Sequence, residues 1–275
     1  MPAITTNTAA NTALLYVNQN TNLQNDYLAQ LSSGSRVQKA SDDPSSLAIG
    51  TKLQGDVTAL SQAATNAANG QSVLNTADGG LEQISDILQR MKALATQSLS
   101  GAVDDSSRSD IDAEYQQLLD EIDSIASQTR FNGTNLIDGT SDYATGVTYM
   151  LGTDSTDTIT VTLNSAKASD LGVTGTAVDT SDDATSALTA INSAIDTIST
   201  DRATVGAYSS RFEFRASVIN TAQENAQAAQ SSFMDADEAQ VETEYNNTSV
   251  LTEAGIAALQ KANEIPQQLL RLLQS

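Results

Sequence analysis

Residues 66–98, NAANGQSVLNTADGGLEQISDILQRMKALATQS, decide the fold class of this chain. They contain no Pro, and their apolar side chains recur at alternating steps of three and four residues, which places them on one face of an α-helix. Gln71 interrupts this apolar stripe, and we expect a three-residue slip at Asp78-Gly79-Gly80. The stripe begins upstream of the quoted stretch and comprises Leu53, Val57, Leu60, Ala64, Ala67, Leu74, Ala77, Leu81, Ile84, Leu88, Met91 and Ala95. The pattern predicts one long amphipathic helix.

The same periodicity continues on both sides of this helix. One further stripe comprises Ile111, Tyr115, Leu118, Ile122 and Ile125, and another comprises Leu188, Ile191, Ile195, Ile198, Val205, Phe212 and Ile219. Weaker seams occupy the two ends, with Ala10, Leu14, Val17, Leu28 and Leu31 near the start and Leu251, Ala258, Ala262, Ile265, Leu269 and Leu272 near the end. Because these end seams are rich in Ala and polar residues, the free energy gained by burying them offsets little of the entropy cost of ordering the chain. We expect both ends to become ordered only against neighbouring subunits.

Residues 140–180 differ in composition and pattern from the helical stretches. Two β-branched runs, Val147–Leu151 and Ile159–Leu163, flank the turn-like GTDSTD, which predicts a β-hairpin. The remainder of the segment is mostly Ser, Thr, Asp and Gly and is too short for an independent domain. The predicted fold class is mainly α, with long antiparallel helices in a coiled-coil or helix-bundle rod and a small β-hairpin region in the middle.

Composition narrows the function classes. The chain has no Cys and no His, so it lacks the commonest general base, a thiol nucleophile and the usual transition-metal ligands. With 13 basic and 34 acidic residues, its net charge of −21 disfavours nucleic acid and anionic lipid as partners. No acidic cluster has the spacing of a calcium loop. We therefore predict no enzyme activity, no cofactor, no metal site and no membrane insertion. The N-terminus lacks the basic and apolar regions of a cleavable signal peptide.

Several segments together resemble the bacterial flagellins. QLSSGSRVQKASDDPSSLAIG at 30–50, the long helix at 66–98 and TRFNGTNLIDG at 129–139 are similar to the N-terminal part of that family. VGAYSSRFEF at 205–214, DADEAQVE at 235–242 and the closing VLTEAGIAALQKANEIPQQLLRLLQ at 250–274 are similar to its C-terminal part. The matches follow the family's order over nearly the whole chain, which makes the set specific although no single motif is.

The resemblance implies a domain organisation. Residues 1–44 and 235–275 would pair their terminal helices as an inner coiled-coil domain. Residues 45–139 and 181–234 would form a rod-like helical outer domain, with 140–180 as its reduced variable segment. The implied function is that of a structural subunit that self-assembles into the extracellular flagellar filament for swimming motility.

The resemblance also implies partners and a location. The implied partners are other copies of the chain, the flagellar type III export apparatus, a secretion chaperone, and the filament cap and hook-junction proteins. Export by that apparatus would leave the protein outside the cell, in the flagellum, without a cleaved signal peptide. A host Toll-like receptor is a further candidate partner, with Arg90, Leu94 and Glu114 matching the residue types of the family's contact.

Two sets of residues are candidates for assembly. The terminal seams are expected to carry subunit contacts, through Leu14, Val17, Leu28, Leu31, Leu251, Ala258, Ile265, Leu269 and Leu272. The turn formed by Ser32, Ser33 and Gly34, together with Arg36, is expected to set the link between the inner and outer domains.

Two alternatives to a filament subunit stay open at this stage. A hook–filament junction protein would resemble a flagellin at both ends. A secreted coiled-coil adhesin or immune-modulating ligand would instead form an oligomer of fixed size.

Overall fold

Five α-helices and two small antiparallel strand pairs make up the part of the chain that the structure describes. The computed structural model describes the backbone of residues 6–273 and the side chains of residues 6–268. The helices are α1 (Thr8–Ser33), α2 (Pro44–Ser98), α3 (Asp105–Gln128), α4 (Ser181–Met234) and α5 (Glu238–Leu273). The strands are β1 (Arg130–Phe131), β2 (Thr134–Asn135), β3 (Val147–Met150) and β4 (Thr158–Val161), with a short 3-10 helix at Asp142–Ala144. The predicted mainly α fold class is confirmed.

Side-chain caps determine where two of the long helices begin. The Asp43 carboxylate accepts hydrogen bonds from the backbone N–H groups of Ser45 and Ser46 at 3.1 and 3.0 Å, and Pro44 occupies the first helical position of α2. Asp104 caps α3 in the same way through the N–H of Ser107 at 2.9 Å. The neighbouring Asp42 carboxylate instead accepts hydrogen bonds from the N–H groups of the preceding turn, including that of Lys39 at 2.9 Å.

The chain forms two compact units. Unit 1 comprises Met1–Gly55 and Asn225–Ser275, and unit 2 comprises Asp56–Glu224. The boundaries of these units fall within α2 and α4, whereas the predicted domain boundaries fall near the ends of those helices. The division into inner and outer domains stays a prediction.

In unit 2, α2 runs antiparallel to both α3 and α4. Arg202 of α4 donates to Asp78 of α2 at 2.9 Å, and the guanidinium of Arg108 in α3 donates to the carbonyl of Ser98 at the end of α2 at 3.0 Å. The largest fully buried side chains of this core come from α2, α3, α4 and the segment after α3, and they include Leu74, Leu88, Tyr115, Ile122, Leu136 and Phe212.

The buried stripe of α2 differs from the predicted one. Ala63 and Gly70 are buried where the sequence pattern predicts Ala64 and Gln71, so the alternation of three and four residues continues without a break from Leu60 to Ser98. The predicted slip at Asp78-Gly79-Gly80 is therefore wrong. Gly70 belongs to the core because Phe212 fills the space beside it: a Cβ at Gly70 would lie 2.5 Å from the Phe212 ring.

Smaller shifts of the same kind occur in the other two helices of unit 2. In α3, Leu119 and Ala126 are buried, whereas the predicted Leu118 and Ile125 are half-buried. In α4, Ala187 and Ala194 are fully buried beside the predicted Ile191 and Ile198. The buried positions that the sequence stripes miss thus include three Ala residues, Ala126, Ala187 and Ala194.

The predicted β-hairpin is confirmed. Strands β3 and β4 pair antiparallel, from Val147 opposite Val161 to Met150 opposite Thr158. A second, shorter pair, β1 and β2, turns at Asn132-Gly133, where both residues have a positive φ.

The segment after β4 packs against α3. The Asp123 carboxylate accepts a hydrogen bond from the N–H of Ala168, and the Asp112 carboxylate accepts from the N–H of Val178, both at 2.8 Å. Apolar side chains between these anchors are buried, among them Leu171 and Val173. The 140–180 segment thus contributes to the core of unit 2 although it is rich in polar residues.

In unit 1, α1 and α5 pack against each other in an antiparallel arrangement. The Asn7 side chain donates to the carbonyl of Ala262 at 2.7 Å near one end, and a β-bridge joins Ser35 to Asp235 near the other. None of the helices in the described part of the chain is long and apolar enough to cross a membrane.

Candidate assembly surfaces on the terminal helices

Helix α1 packs one face against α5 and exposes apolar side chains elsewhere on its surface. The face toward α5 is lined by buried or half-buried side chains at heptad spacing, namely Ala10, Ala13, Val17, Asn20, Gln24 and Tyr27. Val17 packs directly on α5, where a Cβ at Gly255 would lie 2.7 Å from its Cγ2 atom. Large apolar side chains around this face stay uncovered within unit 1: Leu14, Leu15, Tyr16 and Leu28 are 46–65% exposed, and Leu31, which continues the heptad spacing of the inner face, is 38% exposed.

Helix α5 is organised in the same way. Its inner face comprises Val241, Tyr245, Thr248, Thr252, Gly255, Leu259 and Ala262, all buried or half-buried. Val250, Leu251, Ile256 and Ile265 lie outside this face and are 44–65% exposed. The pairing of α1 with α5 therefore uses mostly small and polar side chains and leaves the larger apolar ones outside.

The structure divides the predicted seam residues between these two faces. Val17 lies on the inner face, whereas exposed positions are occupied by Leu14, Leu28, Leu31, Leu251, Ala258 and Ile265. The backbone of Leu269 and Leu272 is part of α5, but their side chains are outside the described part of the chain. The seam that periodicity alone groups together is thus two surfaces, one of which is already covered within the chain.

Some exposed residues were missed by the periodicity. Leu15, Tyr16, Val250 and Ile256 fall between heptad positions and are 44–65% exposed. A signal for them is present in the sequence, since Leu14-Leu15-Tyr16 is a run of three large apolar residues in a helix. Successive residues point about 100° apart, so such a run cannot face a single partner helix. It indicates contacts on more than one side of α1.

The electrostatics of α1 suit close packing between copies of an acidic chain. Its 26 residues contain a single residue that is charged at neutral pH, Asp26, and that carboxylate lies 3.4 Å from the Nζ atom of Lys39. Self-repulsion from the net charge of −21 is therefore concentrated elsewhere in the sequence.

Three of the predicted link residues, Ser33, Gly34 and Arg36, form a hydrogen-bonded corner in unit 1, whereas Ser32 lies in the last turn of α1. Gly34 ends α1 in a left-handed conformation (φ 68°) and donates its N–H to the carbonyl of Gln30 at 2.8 Å. The Ser33 hydroxyl accepts from the N–H of Ser35 at 3.1 Å, while Ser32 is exposed. Gly34 also accepts at its carbonyl from the N–H of Ala236 at 2.9 Å.

Arg36 connects this corner to the end of α4 and the start of α2. Its backbone N–H donates to the carbonyl of Met234 at 2.7 Å, and its Nη2 donates to the carbonyl of Phe233 at 2.8 Å and to the Ser46 hydroxyl at 3.2 Å. The Ser46 hydroxyl in turn donates to Asp43 at 2.6 Å. Hydrogen bonds from the Ser46 hydroxyl and N–H lower the pKa of Asp43, so the carboxyl stays ionised as a cap.

The three residues matched to a receptor contact have different environments in unit 2. Arg90 and Glu114 form a two-pronged ion pair, with Nη2 and Nε at 2.6 and 2.9 Å from the same Glu114 oxygen, and both side chains are about half exposed. Leu94 is 2% exposed and belongs to the core. The structure thus brings Arg90 and Glu114 together on the surface and places Leu94 beneath it.

Comparison with known proteins identifies the family of this chain. The models of the bacterial flagellin N-terminal and C-terminal helical regions match residues 4–142 and 188–273. A flagellar filament 30.7 kDa core protein of Treponema maltophilum is 34% identical over 279 residues, covering 96% of this chain and 98% of that protein. A flagellin of Halalkalibacterium halodurans is 36% identical over 248 residues, covering 90% of both.

A solved structure agrees with these sequence matches. The crystal structure of Bacillus cereus flagellin is 35% identical, covers 56% of this chain and 88% of that one, and superposes with a TM-score of 0.50. The chain belongs to the bacterial flagellin family.

Proposed function

We propose that this flagellin is a structural subunit of the bacterial flagellar filament, and that the exposed apolar faces of α1 and α5 are its main assembly surfaces. The names of the relatives support the filament function, because several similar proteins are called flagellins or flagellar filament core proteins. The hook–filament junction alternative is not favoured by these names.

The observation that carries the assembly surfaces is the exposure of large aliphatic side chains on both terminal helices. Monomeric proteins rarely expose such continuous apolar faces, and burying each large side chain contributes roughly 1.5–3 kcal/mol. Since the surfaces on α1 and α5 differ in sequence, contact between them in different copies is heterologous. Such a contact generates an open helical polymer when it does not close into a ring.

The finer parts of the proposal follow the family. Residues 1–44 and 235–275 form the inner coiled-coil domain, residues 45–139 and 181–234 form the outer domain, and 140–180 is its reduced variable segment. The corner at Ser32–Gly34 and Arg36 sets the link between them. The protein reaches the flagellum outside the cell through the type III export apparatus, with a secretion chaperone, and joins the filament between the hook-junction proteins and the cap.

The surface around Arg90 is proposed as a contact for a host Toll-like receptor. Two observations support it: the Arg90–Glu114 pair is half exposed, and it bridges two helices of unit 2, α2 and α3. An interface is commonly anchored by Arg, because its planar guanidinium binds with fixed geometry. A reporter-cell assay that compares the wild-type monomer with Arg90→Ala tests this contact, and equal responses would exclude a role for Arg90.

Seeded growth tests the assembly proposal. Purified monomer is added to short filament seeds in a precipitating salt, and negative-stain electron microscopy records the lengths of the filaments that grow from the seeds. We expect long uniform tubes from the wild-type chain and little growth from Leu28→Ser or Leu251→Ser, whose side chains are 52% and 54% exposed. Asn22→Ser, at an exposed polar position of α1, is the matched control and should grow normally.

Two results would contradict the proposal. A wild-type chain that stays monomeric or merely caps the seeds would contradict the filament function. Normal growth of both Leu variants would leave that function intact and exclude these faces as assembly surfaces.

A further inference from the structure

Unit 2 exposes its large hydrophobic side chains at one place. Among its described residues, the exposed large hydrophobic side chains are Met150, Phe214 and Val218, at 41%, 74% and 58%. Phe214 and Val218 line a groove of about 410 Å³ together with Thr158 and Ile159 of the β-hairpin. Met150 pairs with Thr158 in the register of that hairpin. We call this surface, with Arg211 and Arg215 that also line the groove, the α4 patch.

The α4 patch occupies the side of α4 that the core of unit 2 does not use. Residues 211, 214, 215 and 218 lie on one helix face by their spacing of three and four residues. Phe212 and Ile219, which point into the core, are 1% and 3% exposed. A Phe that is 74% exposed on an otherwise well-packed unit marks an interaction surface.

The charge of the α4 patch indicates its partner. Arg211 and Arg215 form no ion pair with the described carboxylates, and the guanidinium carbon of Arg211 lies 5.9 Å from the centroid of the Tyr208 ring. These are two of 13 basic residues in a chain with 34 acidic ones. If two copies met through identical α4 patches, Arg would face Arg. A different, acidic face of the second copy is therefore favoured.

Helix α3 presents such a face. Residues 104–123 contain eight carboxylates and a single basic residue, Arg108. Asp110, Glu114, Gln117 and Glu121 recur at steps of four, three and four residues and are all exposed, so they form one stripe. Glu114 pairs with Arg90, whereas Asp110 and Glu121 have no ion pair among the described side chains. We call these four residues the α3 stripe.

We propose that the α4 patch of one copy docks on the α3 stripe of a neighbouring copy in the filament. This inference rests on the proposed filament function and adds a second, electrostatically selected contact to the apolar contacts of the terminal helices. Arg211 and Arg215 face carboxylates of the α3 stripe, and the contact shields Phe214 and Val218 from water. Because the two surfaces are different, the contact is heterologous and compatible with an open polymer.

Charge reversal and charge exchange test the contact. Arg211→Glu/Arg215→Glu and, separately, Asp110→Arg/Glu121→Arg should each slow seeded elongation by about tenfold or more, because like charges then face each other. The chain carrying all four substitutions restores opposite charges and should recover most of the wild-type rate. Circular dichroism should show unchanged folding in every variant, since all four positions are exposed.

The absence of Cys from the sequence permits a direct check of proximity. A chain with Val218→Cys and Gln117→Cys, polymerised and treated with a short bis-maleimide, should give a ladder of covalent oligomers. Val218→Cys with Ser193→Cys, at an exposed position elsewhere on α4, is the matched control and should give none.

The outcomes separate the two proposals. Failure of the wild-type chain to elongate would overturn the filament function and the contact with it. If the wild-type chain elongates normally, any of three results would overturn the docking contact alone. These are normal growth of the charge-reversed chains, a four-substitution chain that grows no faster than either charge-reversed chain, and absence of the cross-linked ladder.

Discussion

Units 1 and 2 are built from similar helical patterns but bury them to very different extents. In unit 2, apolar stripes of α2, α3 and α4 meet in a shared core that includes fully buried Tyr115 and Phe212. In unit 1, the buried hydrophobic side chains among the described residues are Ala10, Val37, Val241 and Ala262, whereas the described Leu, Ile, Phe and Tyr side chains are half-buried or exposed. Unit 2 is thus suited to fold by itself, whereas unit 1 leaves much of its apolar surface exposed, as the proposed assembly surfaces require.

Amide hydrogen exchange on the monomer gives the broadest test of this difference. We expect amides in the unit 2 parts of α2, α3 and α4 to open only with global unfolding, which requires on the order of 5–15 kcal/mol. Amides of α1 and α5 should open at a cost near zero, because few apolar contacts hold them. Equal protection in the two units would contradict both the comparison and the expectation that the ends become ordered against neighbouring subunits.

A matched pair of Leu substitutions addresses the same difference with single side chains. Leu88→Ala removes a fully buried side chain from unit 2 and should destabilise it by about 2–5 kcal/mol. Leu28→Ala removes a side chain that is 52% exposed, and its effect on monomer unfolding should stay within about 0.5 kcal/mol. Denaturant unfolding followed by circular dichroism measures both. A large loss of monomer stability in Leu28→Ala would show that unit 1 has a core of its own.

Two glycines of α2 provide the next test, one in each unit. Gly70→Ala places a Cβ 2.5 Å from the Phe212 ring and should destabilise unit 2 by about 1–3 kcal/mol through overpacking. Gly55 has no atom within 4 Å of the position of its Cβ, so Gly55→Ala should stabilise the helix by about 0.4–1 kcal/mol. Thermal unfolding of the two variants should shift in opposite directions. Similar shifts in both would mean that Phe212 moves aside easily.

Gly70 also shows where prediction from sequence stops. The helical fold, the β-hairpin and the family were accessible, because they depend on periodicity, turn residues and ordered motifs within the chain. The stripe of α2 was wrong around Gly70, since a Gly is assigned to the core only when its partner, Phe212, is known. The faces of α1 were not separable for a similar reason: Val17 packs inward because Gly255 makes room for it.

Leu94 illustrates the same limit at the candidate receptor surface. A segment match groups it with Arg90 and Glu114, yet it is 2% exposed, because it lies three residues after Met91 on the buried side of α2. Motif comparison identifies which residues belong to a segment, whereas burial within the fold decides which of them a partner can touch.

The corner that contains Arg36 is expected to have stability between these extremes. Arg36→Ala removes the hydrogen bonds to the carbonyl of Phe233 and the hydroxyl of Ser46, at about 0.5–1.5 kcal/mol each, with the lower value expected because the side chain is 47% exposed. Exchange of the Ala236 amide, which is bonded to the carbonyl of Gly34, should become about fivefold faster. Arg36→Lys keeps the charge without the planar fork and should show most of the same loss. An unchanged exchange rate of the Ala236 amide in both variants would show that Arg36 does not stabilise the link.

The smallest expected effect is a pH dependence at the start of α2 in unit 1. The Ser46 hydroxyl and N–H lower the pKa of Asp43 from its ordinary value of 3.8, so the folded state binds the proton less readily than the unfolded chain. The stabilisation by this cap is therefore complete above about pH 4 and is lost as the pH falls through the lowered pKa of the folded state. The Ser46 amide should exchange faster relative to the intrinsic rate below that pH, and Asp43→Asn, which still caps but does not titrate, should remove the dependence.

Asp104, whose pKa is also lowered, by hydrogen bonds from Ser107, is the matched cap in unit 2. Because α3 is held by the core of unit 2, acid should loosen its first turn less than it loosens the first turn of α2. Equal loosening would mean that the caps, rather than the cores behind them, hold both helix starts.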